Sequence, residues 1–98
     1  MTSQEQAAAT DQLRRALLAF RSAQSLLLQA QRGLKGLPAE EVDAFWSAAG
    51  GRIERRVQAT AAEVVATFRV FSAAGLVASA EDRHRVTEAQ RHLSEGAA

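Results

Sequence analysis

The stretch LRRALLAFRSAQSLLLQAQRGL, residues 13–34, decides the fold of this chain. Its large apolar residues recur every seven positions, and alanines recur at the same interval between them: Leu13, Phe20, Leu27 and Leu34, with Ala16, Ala23 and Ala30. A seven-residue apolar repeat is typical of a helix that packs along a partner helix in a left-handed supercoil. The pattern predicts a first helix over residues 4–32. Ser3 and Gln6 fit a capping box at its start, and a start near Thr10 is the alternative.

A short turn follows this helix. We expect Gly33 just after the last helical turn, because glycine accepts the left-handed conformation that ends many helices. The turn is predicted over residues 33–37, and Pro38 suits the first position of a second helix. That helix is predicted over residues 38–74, with a kink expected at 50–51, where two adjacent glycines weaken it.

The apolar stripe of the second helix advances in steps of three and four, as on a straight helix. It comprises Val42, Trp46, Ala49, Ile53, Val57, Thr60, Val64, Phe68 and Phe71. Gly75 is predicted to end the helix, and Leu76 and Val77 to pack behind it. Ser79 with Asp82 predicts the cap of a third helix over residues 80–94.

These elements predict an all-α fold: a long antiparallel helical hairpin plus a short third helix, in one domain of residues 1–98. The expected core is Leu13, Leu17, Phe20, Leu27, Trp46, Ile53, Val64, Phe68 and Phe71. Apolar side chains also fall outside these stripes, at Leu18, Leu28, Ala62 and Val65. The short third helix cannot cover them all, so we predict an oligomeric helical bundle with these four residues as its partner-binding surface.

Composition narrows the functional classes. The 98 residues carry a net charge of +1, whereas dedicated nucleic-acid domains usually have a strong basic excess. The absence of cysteine excludes disulfides and thiolate metal sites. Eleven arginines against one lysine, with 22 alanines, indicate a GC-rich bacterial or phage genome. Met1–Thr10 lacks the features of a Sec signal peptide and no long apolar run is present, so we expect a soluble cytoplasmic protein without membrane contact.

An arginine cluster is one candidate site. If the turn of the hairpin is centred near Lys35, two residues lie opposite each other on the two long helices when their numbers sum to about 71. This register brings arginines of the two helices together. The cluster comprises Arg14, Arg15, Arg21, Arg52, Arg55 and Arg56. It predicts either an anion or nucleic-acid surface or a solvated charged face. No aromatic residue lies among the arginines to stack on bases, which favours the solvated face.

The third helix holds a second candidate site. His84, Glu88 and His92 are spaced by four residues and share one side of the helix, a spacing that can hold zinc or iron. Glu81 and His84 match the Glu-x-x-His element of di-iron bundles. The alternative is an exposed face with favourable side-chain pairs. We favour this alternative and expect neither a metal nor a cofactor.

Trp46 and the glycines Gly50 and Gly51 have two interpretations. They form either a notch for a partner's side chain or a tolerated kink beside a core tryptophan, and the kink is favoured. The chain length, the helical hairpin and the central tryptophan resemble the WXG100 secreted proteins of Gram-positive bacteria. That resemblance implies a secreted helical hairpin. Two features depart from it: Ala48 replaces the glycine of the Trp-x-Gly turn, and the chain lacks tyrosine.

No motif for a reaction is present: there is no cysteine or tyrosine nucleophile and no glycine-rich phosphate loop after a strand. The sequence therefore predicts a non-catalytic structural or adaptor protein that acts through helix–helix assembly, as a homo-oligomer or on another helical protein. A nucleic-acid-associated protein is the alternative, followed by a WXG100-like hairpin or a metal-binding bundle.

Overall fold

The chain folds into helices joined by short turns, as a computed structural model of residues 2–97 describes it. Helix α1 is Ser3–Leu34, α2 is Ala39–Phe45, a π-helical turn occupies Trp46–Gly50, α3 is Gly51–Ala73 and α4 is Ala80–Ala97. No strand occurs within residues 2–97, which confirms the all-α prediction. Met1 and Ala98, the ends of the predicted domain, lie outside the described residues. None of the described helices is long and apolar enough to cross a bilayer.

Both ends of α1 differ from the prediction. The N-cap is Thr2, whose hydroxyl accepts a hydrogen bond from the Glu5 amide at 3.1 Å, so the capping pair begins one residue before Ser3. At the other end the helix continues through Gly33 to Leu34. The glycine with positive φ is Gly36, at 86°. The prediction that Gly33 ends the helix is therefore wrong, because a later glycine makes the turn.

The connection between α3 and α4 confirms two sequence predictions. Gly75 has a φ of 78° and its amide donates to the Ser72 carbonyl at 3.0 Å, while the Leu76 amide donates to the Phe71 carbonyl at 3.4 Å. This pair of bonds is a Schellman motif. Ser79 then accepts a hydrogen bond from the Asp82 amide at 3.1 Å and caps α4.

The second long helix is interrupted earlier than predicted. The distortion is the π-helical turn Trp46–Gly50, which precedes the expected kink at 50–51. A π-turn holds an extra residue within a helix and changes the direction of the side chains on either side. Gly50 is buried, and a Cβ built on it would overlap the indole ring of Trp46. The tryptophan of this chain itself thus fills the space above Gly50.

The core lies between α1, α3 and α4, at the end of the molecule away from the turn. The first half of the predicted heptad is buried, whereas Leu27, Ala30 and Leu34 are only partly buried. The buried cluster comprises Leu13, Ala16, Leu17, Phe20, Ala23, Val57, Ala61, Val64, Phe71, Ala78, Val86 and Ala89. Leu27 and Phe68 pack at its edge. Trp46 and Ile53, expected in the core, lie outside this cluster and are partly exposed.

The register of the hairpin differs from the predicted one. The Gln6 side-chain amide donates to the Ala74 carbonyl at 3.1 Å, and the numbers 6 and 74 sum to 80. The predicted sum of about 71 assumed that the second helix packs on α1 from its first turn. The second helix instead packs on α1 through α3, and α2 makes little contact with α1. The turn and α2 therefore extend past the packed part of α1.

Helix α4 covers only part of the hairpin. It has 18 residues against 32 in α1, which corresponds to about 27 Å beside about 48 Å. The molecule is 56 Å long and 24 by 21 Å across. Near the end of α4, Gln58 donates to the His92 carbonyl at 2.9 Å and Phe20 meets the His92 ring edge to face. Beyond this level the hairpin has no third helix.

Candidate interaction surfaces

The uncovered end of the hairpin forms the first candidate surface. Among residues 24–56, all of which the structure describes, only Gly50 is buried. Leu26, Leu28 and Leu37 are exposed, each with between 43% and 48% of its surface open. We call these three residues, with the partly buried Leu34, Phe45, Trp46 and Ile53, the tip surface. It extends around α1, because Leu26 and Leu28 are about 200° apart on the helix. It is apolar because its helices have no third layer to cover them.

Charged residues flank the tip surface in two groups of opposite sign. Arg32 and Lys35 lie at the end of α1, and Glu40, Glu41 and Asp43 lie on α2. The ion pairs found among residues 2–97 involve other residues: Arg15 with Asp11, His84 with Glu88, and Arg85 with Glu81. The tip therefore has basic residues at the end of α1 and acidic residues on α2 that belong to none of these pairs.

A groove between α1 and α4 forms the second candidate surface. It has a volume of about 330 Å³. It is lined by Thr10, Leu13, Arg14, Leu17, Leu18 and Arg21 of α1, by Phe71 of α3, and by Val77, Ala78, Ser79, Glu81, Asp82 and Arg85. We call it the open groove. Its most exposed apolar residues are Leu18, at 58%, and Val77, at 84%. Val77 was expected to pack like Leu76, but only Leu76 reaches the core.

The predicted partner residues fall in different places. Leu18 lines the open groove, whereas Leu28 belongs to the tip surface, ten residues further along α1. Ala62 is exposed on α3. Val65 is partly buried and packs against the core, so it contributes little to an outer surface. The structure thus divides the predicted partner-binding surface between two ends of the molecule.

The observed register separates the arginines that were predicted to cluster. Arg14 and Arg21 line the open groove, and Arg15 pairs with Asp11 at 2.9 Å. Arg55 instead borders a second cavity beside Leu27 and His92. It lies opposite about residue 25 of α1, roughly 16 Å along the axis from Arg14.

Arg52 and Arg56 are likewise exposed on the first part of α3. The prediction that Arg14 and Arg15 lie near Arg55 and Arg56 is wrong, because the second helix is displaced by about nine residues relative to α1.

The three candidate metal ligands do not converge. His84 Nε2 lies 2.9 Å from Glu88 Oε1, and the other Glu88 oxygen accepts a hydrogen bond from the Gln24 amide at 3.2 Å. His92 instead turns towards Phe20, with the ring centroids 5.7 Å apart. Within residues 2–97 no group of three or more histidine, cysteine, aspartate or glutamate side chains is placed to hold a metal ion. Glu88 tethers α4 to α1 through Gln24.

Comparison of the chain with protein-family models, with curated proteins and with solved structures finds no match.

Proposed function

We propose that this chain is a non-catalytic assembly protein, in which two copies join through their tip surfaces by helix–helix contacts. The observation that carries the proposal is the burial pattern. Residues 24–56 make up a third of the chain, yet Gly50 alone among them is buried, and three leucines are exposed there. Exposed apolar patches of this kind mark protein–protein contact sites.

The shape of the tip supports a helical partner. Helix α2 has seven residues and none of them is buried. A helix this short is marginal in isolation and gains most of its stability from packing. The tip of a second copy, packed against the first, supplies the missing layer. Each copy then contributes two helices, the end of α1 and the start of the second long helix, to a four-helix contact.

The charge arrangement favours a second copy as that partner. A two-fold interface needs a surface that is complementary to itself. In the tip, Arg32 and Lys35 lie at the end of α1, and Glu40, Glu41 and Asp43 lie on α2. A two-fold axis that sets the end of α1 of each copy beside α2 of the other brings these opposite charges together.

The nucleic-acid hypothesis has less support. A nucleic-acid surface needs several cations that follow one backbone. Arg14 and Arg21 face the open groove together with Glu81 and Asp82, whereas Arg55 lies on a different part of the molecule. The chain has a net charge of +1. These positions favour protein contacts over a polyphosphate backbone.

The proposal is tested by light scattering after size exclusion, with two matched variants. Leu28→Asp places a charge in the tip surface, and Leu18→Asp places the same charge on another exposed leucine of the same helix. We expect the unmodified chain and Leu18→Asp to give twice the chain mass, and Leu28→Asp to give the mass of one chain. Circular dichroism should show equal helix content in all three. A monomeric unmodified chain, or dissociation by Leu18→Asp instead of Leu28→Asp, would contradict the proposal.

A further inference from the structure

The three-helix end of the molecule is open on one side. Helix α3 packs against both α1 and α4, but α1 and α4 make little contact with each other. The open groove lies between them, with Leu13, Leu17 and Phe71 at its floor. Four helices close a bundle in which each one contacts two neighbours. The groove therefore occupies the position of an absent fourth helix.

The α1 wall of this groove carries two cations two helical turns apart. Arg14 and Arg21 are separated by seven residues, about 10.5 Å along the helix axis, and so point to the same side. Neither belongs to the ion pairs found in the described part of the chain. Between them lies Leu18, with 58% of its surface exposed. The wall thus presents an apolar contact between two cations without an acidic partner.

The α4 wall has the opposite character. Glu81 and Asp82 lie in the first turn of α4, where the helix dipole stabilises acidic side chains. Arg85, on the same wall, is held by Glu81 at 3.4 Å. The two walls therefore differ in sign: the α1 wall favours acidic groups on a ligand, and the first turn of α4 favours basic ones.

We infer that the open groove binds an amphipathic helix of a partner protein, with apolar residues on its inner face and acidic residues seven apart on the flank that meets Arg14 and Arg21. Apolar contacts with Leu18, Val77 and the floor provide affinity, as in other helix-in-groove complexes. The arginines provide selectivity, because ion pairs at an exposed rim decide between partners more than they add binding energy. An open channel of this kind suits a helix better than a small ligand, which needs an enclosing pocket.

The open groove is separate from the tip surface. The open groove extends from Thr10 to Arg21 on α1, at the end of the molecule away from residues 24–56. A dimer joined at its tips holds the two grooves at its far ends. The chain then acts as an adaptor that carries two copies of a helical partner.

The test uses two synthetic 18-residue peptides labelled with fluorescein. In both peptides the leucines are spaced alternately three and four residues apart, so that they share one face of the helix. One peptide carries pairs of glutamates seven residues apart on a single flank of that face, and the other carries lysines at the same positions. Binding is measured by fluorescence anisotropy. We expect the glutamate peptide to bind at least about tenfold more tightly than the lysine peptide, with the difference falling as salt rises.

Variants of the full chain test whether the α1 wall of the open groove determines the preference between the two peptides. The double change Arg14→Glu and Arg21→Glu should reverse the preference, so that the lysine peptide binds more tightly. The control, Arg52→Glu and Arg56→Glu, alters net charge equally on exposed residues outside the groove and should leave the preference unchanged. The inference would be overturned if both peptides bind equally, or if neither binds. It would also be overturned if both double variants have an equal effect, or if the chain binds anionic lipid vesicles in place of the glutamate peptide.

Light scattering on the same variants separates this inference from the proposed function. If the Arg14→Glu and Arg21→Glu variant remains a dimer and has the same peptide preference as the unmodified chain, only the groove inference fails. If the chain is a monomer and shows the expected reversal, only the tip dimer fails.

Discussion

The indole ring of Trp46 lies where a side chain at residue 50 would begin, so Gly50 allows the ring to pack directly on the helix backbone. The two residues bound the π-helical turn between α2 and α3. Such turns are uncommon, because the extra residue disrupts the regular hydrogen bonding of the helix, and they persist where the surrounding contacts require them. Here the turn places the single tryptophan of the chain, itself a residue of the tip surface, over the helix backbone.

The substitution Gly50→Ala should destabilise the protein by about 1–3 kcal/mol, because the new Cβ overlaps the indole ring and either the ring or the helix must move. Urea unfolding measures the change. The fluorescence of Trp46, the only tryptophan, should shift to longer wavelength as the ring leaves the helix.

The adjacent Gly51→Ala is the matched control. Its Cβ would meet only a guanidinium nitrogen of Arg55 at 3.4 Å, so the gain in helix propensity should stabilise the protein by up to about 1 kcal/mol. Equal stabilisation by both substitutions would show that Trp46 does not rest on Gly50.

Two glycines at the first turn have opposite expected effects. Gly33 lies within α1 and a Cβ there meets no atom within 4 Å, so Gly33→Ala should stabilise the protein by about 1 kcal/mol. Gly36 has a φ of 86°, which costs an alanine about 1–2 kcal/mol. Chemical unfolding of the two variants measures both. Destabilisation by Gly33→Ala would mean that α1 ends there, as the sequence pattern predicts.

Phe20 joins the core to α4. It is 1% exposed and meets His92 edge to face, so Phe20→Leu should cost about 1–2 kcal/mol. The amides of α4 should also exchange with deuterium faster, because the helix loses a contact near its end. Leu18→Ala, on an exposed leucine of the same helix, should change stability by less than about 0.5 kcal/mol. Unchanged exchange in α4 after Phe20→Leu would contradict this role.

Features fixed by a few neighbouring residues were predictable from the sequence. The helix end at Gly75 and the cap at Ser79 each depend on hydrogen bonds within six residues, and both were predicted at the right positions. The heptad of α1 identified its buried face because helical periodicity places those residues on one side. Leu13, Phe20 and Ala23 are buried as that pattern predicts.

Features that depend on how helices meet were not predictable. Two glycines, Gly33 and Gly36, lie at the first turn with nothing local to distinguish them, and the choice of Gly33 placed the turn too early. The predicted register, and with it the proximity of Arg14 to Arg55, was wrong because α2 makes little contact with α1, which the local pattern does not indicate. The π-turn depends on the packing of the Trp46 ring, for which the sequence offers only the nearby Gly50. The open groove arises from the limited contact of α4 with α1, a tertiary property.

The central claim, that two copies join at their tips, is tested most directly by distances between copies. The chain has no cysteine, so Lys35→Cys at the tip and Gln12→Cys at the far end of α1 each give a single site for a nitroxide spin label. Pulsed electron–electron double resonance then measures the distance between equivalent labels in the assembly. The proposal predicts a short, well-defined distance for residue 35 and a much longer one for residue 12, which lies about 35 Å further along α1 in each copy. A shorter distance at residue 12 than at residue 35, or no distance between copies at either position, would contradict it.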